Sequence, residues 1–217
     1  MSVIVDNVGL ILAGLRMTLL ITTAASLCGL LLGTLLAVFR VSPIPPLRAA
    51  GAVWVAVTCN VPVLCLMVLL AFGLPALGLS VPLPAAAVIG ITLSASGFIC
   101  ETVRSGINAV PVGSAEAARA LGLTFSQSLR LVILPQALSR IIQPLVNIII
   151  SVLIASSLAA AIGVGELTNV TQQLNLRYAQ AVITFLTSGL TYLAIAYLLT
   201  RGGALLERRL TRIEGRA

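Results

Sequence analysis

The residues of this 217-residue chain that carry polar chemistry fall into three groups. Glu101 and Arg104 stand three apart at the edge of an uncharged stretch. At that helical spacing a carboxylate and a guanidinium pair with each other or together gate an opening. Asn60 and Pro62 interrupt one apolar run; Asn147, Ser151, Ser156 and Ser157 interrupt another, after Gln143-Pro144. Amides and hydroxyls inside a bilayer helix cost free energy unless neighbouring helices or water satisfy them. They either hold helices together or line a path for a polar solute, and both readings stay open here. The third group is Glu116 to Pro135, EAARALGLTFSQSLRLVILP, which has the charges and capping signals of a soluble helix pair. Hydrolytic or metal chemistry has little to work with. Histidine is absent, and Cys28, Cys59, Cys65 and Cys100 lack C-x-x-C spacing, so no catalytic or metal site and no disulfide framework is expected.

The elements that must position these groups are membrane helices. Hydrophobic residues make up 59% of the chain and charged ones only 9%, against roughly a quarter charged in a soluble domain. The runs are continuous rather than alternating, which indicates helices and not a barrel. Five stretches stand out: Met17–Phe39, Ala49–Phe72, Ala85–Cys100, Ile141–Val164 and Tyr178–Thr200. A span needs roughly 20 residues at 1.5 Å each, and the third is short by that measure. With five spans, Arg40, Arg48, Arg104, Arg119, Arg130, Arg140 and the five arginines from Arg201 onward share one side, with only Arg16 and Arg177 opposite. The positive-inside rule then places the N-terminus outside and the C-terminus in the cytoplasm. The net charge of +7 follows from this topology and suits anionic lipid headgroups. The early residues hold only Asp6 and no basic run, so no cleaved signal peptide is expected. The expectation is an all-α integral membrane protein of five transmembrane helices, N-out and C-in, forming a single transmembrane domain over 1–217 with an interior loop at about 104–140.

Local signals refine this outline. Gly29 and Gly33 form a G-x-x-x-G on one helix face, either a site of close helix approach or a reflection of how common glycine is in membrane helices. Within the interior loop, Ser114 is a candidate N-cap for a helix over Ala115–Leu121, and Gly122 a left-handed C-cap. Thr124 and Gln127 have capping-box spacing for a second helix reaching Ile133, with Pro135 its end or a kink. Glu166, after Gly163 and Gly165, starts a short outer helix, placed either against a partner or in a solvated turn.

A helix–glycine–helix unit also occurs in DNA readers. Here it is tethered at both ends, lacks a third helix for a core and offers one arginine on an apolar second helix, so no nucleic acid partner is expected. A docking element for a soluble partner fits better. Glu116-Ala117-Ala118, then Gly122, then Ile133-Leu134-Pro135, resembles the EAA coupling loop in the membrane subunits of bacterial ABC importers. GLRMTL at Gly14–Leu19, Phe72-Gly-Leu-Pro75, Glu101-Thr-Val-Arg104-Ser-Gly106-Ile107 and Ile162-Gly-Val-Gly-Glu166-Leu167 are similar to the polar amino acid branch of that family (the histidine, glutamine and glutamate type). The resemblance implies a non-enzymatic permease subunit in the bacterial inner membrane, coupling through Glu116, Ala117, Ala118, Gly122, Ile133 and Pro135. It also implies two cytoplasmic ATPases, a second permease subunit and an extracytoplasmic binding protein. ATP and Mg belong to the ATPases: with no lysine, this chain cannot form a Walker A loop, and no cofactor is expected in it.

The chain departs from that branch where charge is usual. Ala56 and Cys59-Asn60-Val61-Pro62 stand in place of an acidic residue and an R-G-T-P-like stretch, and Ile154-Ala155 in place of a Lys-Asp pair. Either a non-identical second permease supplies the missing charges or the substrate is not a typical charged amino acid; the first is preferred. The competing class is an autonomous secondary transporter or a membrane packing subunit without an ATPase. Intramembrane acids and inverted repeats, which would favour a carrier, are lacking.

Overall fold

The structure, a computed structural model, describes residues 2–214. Prolines set most of the helix starts, because the first turn of a helix has no use for the missing N–H. The short α1 (Ser2–Asp6) leads into α2 (Val8–Val41), and Pro45 opens α3 (Pro45–Thr58). Next come α4 (Val63–Val68), a π-turn at Leu69–Gly73 and α5 (Leu74–Ala76). The long α6 (Leu83–Asn108) carries Pro84 in its first turn. The connection after it holds α7 (Val112–Ala120) and α8 (Phe125–Ser128). A second π-turn at Leu129–Ile133 then feeds α9 (Leu134–Ser156) without a break, and a 3₁₀ turn closes it at Ser157–Ile162. Finally α10 (Leu167–Tyr178) lies before α11 (Ala181–Glu214).

Among the described residues, four helices are each long and apolar enough to cross a membrane: α2, α6, α9 with its flanking turns, and α11. The second apolar stretch, expected as one span over Ala49–Phe72, is instead two helical segments bent by 95° between Thr58 and Val63. Pro62 cannot donate to the carbonyl of Thr58, and its ring crowds that carbonyl. Two side chains bond back onto the end of α3: Asn60 Nδ2 donates to Ala56 O at 2.8 Å and Thr58 Oγ1 to Trp54 O at 2.9 Å. The third span is not short. It runs 26 residues through Glu101 to Asn108, because the carboxylate that marks its expected end is neutralised on the spot. Tyr178 belongs to α10, and the last span starts at Ala181.

Pro135 does not end a helix. The π-turn at Leu129–Ile133 sits one residue ahead of it, as the turn at Leu69–Gly73 does for Pro75. A widened turn moves away the carbonyl that the proline ring would strike, so the helix continues.

The core forms around α6, the most buried of the four long helices, while α11 is the most exposed. Gly33 of α2 lets the two backbones close up: a Cβ there would stand 2.7 Å from Ile99 Cβ and 2.8 Å from the Ser96 carbonyl. The G-x-x-x-G is thus a packing face. Trp54 ties α3 to the same helix through Nε1 to Ser96 Oγ at 3.0 Å. Ile21, Ala25, Met67, Ile91, Ile99 and Val152 fill the space among α2, α4, α6 and α9.

Candidate functional site

The unit between α6 and α9 is shaped by caps. Helix α7 starts at Val112 with extended Pro111 as its N-cap, one turn earlier than expected. Ser114 therefore lies in the first turn and caps nothing; its Oγ donates to Gln136 Oε1 at 3.5 Å. Gly122 has φ +75°, the left-handed conformation that costs an L-residue about 1–2 kcal/mol. It allows Leu123 N to reach back to Ala118 O at 3.1 Å and Gly122 N to Arg119 O at 2.9 Å, closing the helix. Thr124 N donates to Gln127 Oε1 at 2.9 Å and Gln127 N to Thr124 Oγ1 at 3.3 Å, a reciprocal capping box.

Glu116 and Ala117 are exposed on this unit, Ala118 is buried against its base, and Ile133 and Pro135 are half-buried in the turn that enters α9. Val112, Leu121 and Leu131 are left strongly exposed, Leu121 at 81%. Single exposed apolar residues are ordinary, but here three lie on a two-helix unit with little apolar surface to spare. The base is fastened on both sides. Arg140 NH1 donates to Ala109 O, and Gly106 lies so close to Ile141 that any side chain would overlap it.

Above that base, α6 and α9 flank a half-open cavity of about 100 Å³. Ser94, Phe98 and Ala95 line it from α6, Ile148, Ser151 and Ala155 from α9, and Val63 from the far side of the bend. Of the polar residues expected along a path, the cavity gathers only Ser151. Asn147 is exposed one turn below and accepts the Ser151 hydroxyl on its carbonyl at 2.9 Å. Asn60 and Pro62 are exposed at the bend beside Val63. Ser156 is fully buried, spent on Leu153 O at 2.6 Å, and Ser157 faces a different cavity. Glu101 pairs with Arg104 at 2.7 Å and also with Arg40 of α2 at 2.9 Å.

Residues 29–212 match the family described as binding-protein-dependent transport system inner membrane component. The chain belongs to this family. Among relatives of this permease, the probable glutamine ABC transporter permease protein GlnP of Bacillus subtilis is 36% identical over 186 residues, covering 84% of each chain. The glutamate transport system permease protein GluC of Corynebacterium efficiens is 37% identical over 161 residues, 69% of this chain and 71% of that one. The fold matches a solved crystal structure of an amino acid ABC transporter with histidines at a TM-score of 0.88 and 30% identity, over 95% of this permease and 96% of that chain. It is therefore a permease of the amino acid ABC transporter family, a multi-pass inner-membrane component of a non-catalytic family that works with ATPases and a binding protein.

Within the permease, the positions that depart from the charged pattern fall in two places. Ala155 lines the cavity at Ser151, whereas its neighbour Ile154 lines the second cavity. Ala56 is exposed and Cys59 half-buried at the bend.

Sequence reasoning misjudged Glu166. It starts α10 as expected, but it is neither solvated nor available to a partner, being fully buried. Its carboxylate accepts from Thr168 N at 2.9 Å, Asn169 N at 2.8 Å, Tyr192 Oη at 2.8 Å and Thr18 Oγ1 at 3.3 Å. Thr18 also accepts from Leu167 N at 3.1 Å, so one residue joins α2, α10 and α11. The signal available in sequence was the glycine-flanked acid ahead of a helix; nothing local announces its burial.

Proposed function

We propose that this permease moves a polar amino acid of the glutamine or glutamate class across the inner membrane as half of a pair with a non-identical permease. In this reading the bent pair α3–α5 makes the fifth span, the arginine-rich side is cytoplasmic, and α7–α8 docks the ATPases, which hold ATP and Mg. Glu116, Ala117 and the exposed Leu121 meet the ATPase, while Gly122 and Pro135 shape the docking unit. Substrate arrives from an extracytoplasmic binding protein. The relatives named for glutamine and glutamate support the substrate class.

The observation that carries the reading is mechanical. The exposed α7–α8 unit is fastened at its base to α6 and α9, the two helices that wall the cavity at Ser151. The asymmetric pairing is supported by the cavity wall, which has hydroxyls from Ser94 and Ser151 but no charged side chain. A zwitterion's carboxylate and ammonium need charged or multiple donors and acceptors in such a site, so the partner must bring them.

The test is purification of the tagged permease from its native membrane in mild detergent, with mass spectrometry of what accompanies it. The expected result is a Walker-type ATPase together with a second, different permease. The same ATPase with this chain alone would overturn the asymmetric pairing. Folded permease with no ATPase would overturn the docking role of α7–α8.

A further inference from the structure

Two acids of the bundle, half-buried Glu101 and buried Glu166, are satisfied in opposite ways. Glu101 faces two arginines. Every group bonded to Glu166 is neutral: two backbone N–H groups and the hydroxyls of Thr18 and Tyr192. Among the described residues it makes no ion pair, and all four contacts donate to it.

The hydroxyl protons beyond it can then be assigned in order. Tyr192 spends its proton on Glu166, so the Thr168 hydroxyl, 3.2 Å from Tyr192 Oη, is the donor in that contact. Ser157 spends its proton on Ile154 O at 2.7 Å. Tyr192, Thr168 and Ser157 all line one cavity of about 320 Å³ between α9, α10 and α11. With their protons committed, these hydroxyls offer the cavity lone pairs only. Tyr192 and Phe185 add aromatic rings to the same wall, which attract cations. A wall of three hydroxyls that offer lone pairs, the Ser188 hydroxyl and two aromatic rings, backed by a carboxylate without a cation, is complementary to a positively charged donor.

We propose that this cavity binds an ammonium group, either the free ion or the amino group of a small solute. Its volume is about ten times a water molecule's share of liquid, enough for a small organic ammonium. Ile154, near the end of α9, and Ser157, in the 3₁₀ turn after it, line this cavity and not the one at Ser151. The transport reading is not needed for it; the carboxylate, the proton order and the cavity suffice.

The test uses the intact complex in detergent and its thermal unfolding with increasing ammonium chloride or ethylammonium chloride, against sodium chloride and choline chloride at equal ionic strength. A saturable rise in Tm is expected with the N–H donors and not with sodium or choline. The relative potency of the two donors tells a free ion from the amino group of a solute. Gly189→Leu places an apolar side chain in the cavity at a position where an added Cβ meets no atom within 4 Å. It is expected to raise the apparent Kd at least tenfold. Ile154→Lys, which tethers an ammonium in the same cavity, is expected to abolish the response. Gly9→Leu, equally open but elsewhere, is the control and should leave the response unchanged. An equal response to sodium, no saturable response at all, or an unaltered response in Gly189→Leu would each overturn the assignment.

Discussion

Arg40 of α2 and Glu101 of α6 meet at 2.9 Å although 61 positions separate them. Arg104 takes the other carboxylate oxygen from one turn further along α6. The two pairs are not equivalent: the Arg40 side chain is 18% exposed and that of Arg104 35%, and only Arg40 joins two helices. Within-helix pairs are worth roughly 0.3–0.5 kcal/mol, while a less exposed pair is screened less. A double-mutant cycle on Arg40→Gln and Glu101→Gln, read from unfolding of the purified protein, is expected to give the larger coupling. The cycle with Arg104→Gln should give the smaller. Equal couplings would mean that Arg40 gains nothing from its position.

At Gly122 the left-handed backbone predicts a ranking. Asparagine tolerates φ +75° better than alanine, and a bulky charged residue adds obstruction to strain. Uptake should fall in the order Gly122→Asn, Gly122→Ala, Gly122→Arg, with the last uncoupled from ATP hydrolysis while the helical circular dichroism of the spans is retained. Unchanged uptake in Gly122→Arg would refute a coupling role.

Gly33→Ala places a methyl against Ile99 and the Ser96 carbonyl. Overpacking of this kind costs about 1–3 kcal/mol, which lowers Tm. Gly9→Ala, with open space around it, should shift Tm little. Similar Tm values for the two variants would show that α2 and α6 can part freely.

Ser151→Leu is expected to fill most of the 100 Å³ cavity between α6 and α9. Uptake in membrane vesicles should fall at least tenfold while the ATPase still co-purifies. Full uptake would move the path elsewhere.

Thr18→Val removes a hydroxyl that donates to Glu166 and accepts from Leu167 N. A buried donor left without a partner costs about 1–3 kcal/mol. The variant should unfold earlier, with amide exchange in the first turn of α10 faster than in wild type. An unchanged exchange rate would show that water or a neighbour replaces the hydroxyl.

Features with local causes were readable in the sequence. The capping box at Thr124 and Gln127 and the left-handed Gly122 depend on residues within a turn of each other. The pairing of Glu101 with Arg104 follows from spacing alone. What escaped depends on distant partners. Helix α6 continues past Glu101 because Arg40 comes from another helix. Glu166 is buried because Thr18, 148 positions away, and Tyr192, 26 away, close over it. Pro62 and Pro135 look alike as helix breakers. One yields a 95° bend and the other a widened turn that runs on. Of the polar residues expected along a path, only Ser151 reached the cavity, since the others' orientations are set by helix rotation that no single residue encodes.

The contact of Gly106 with Ile141 sets a fulcrum between two lever arms. Below it hangs the α7–α8 unit; above it, α6 and α9 rise to Ala95 and Ser151, each about 15 Å away at 1.5 Å per residue. A relative tilt of about 5° at the fulcrum would part the two walls by about 1.3 Å at that height, from the same rise per residue. The arms are short, so a small rotation imposed from below suffices to change whether a side chain fits between Phe98 and Ser151.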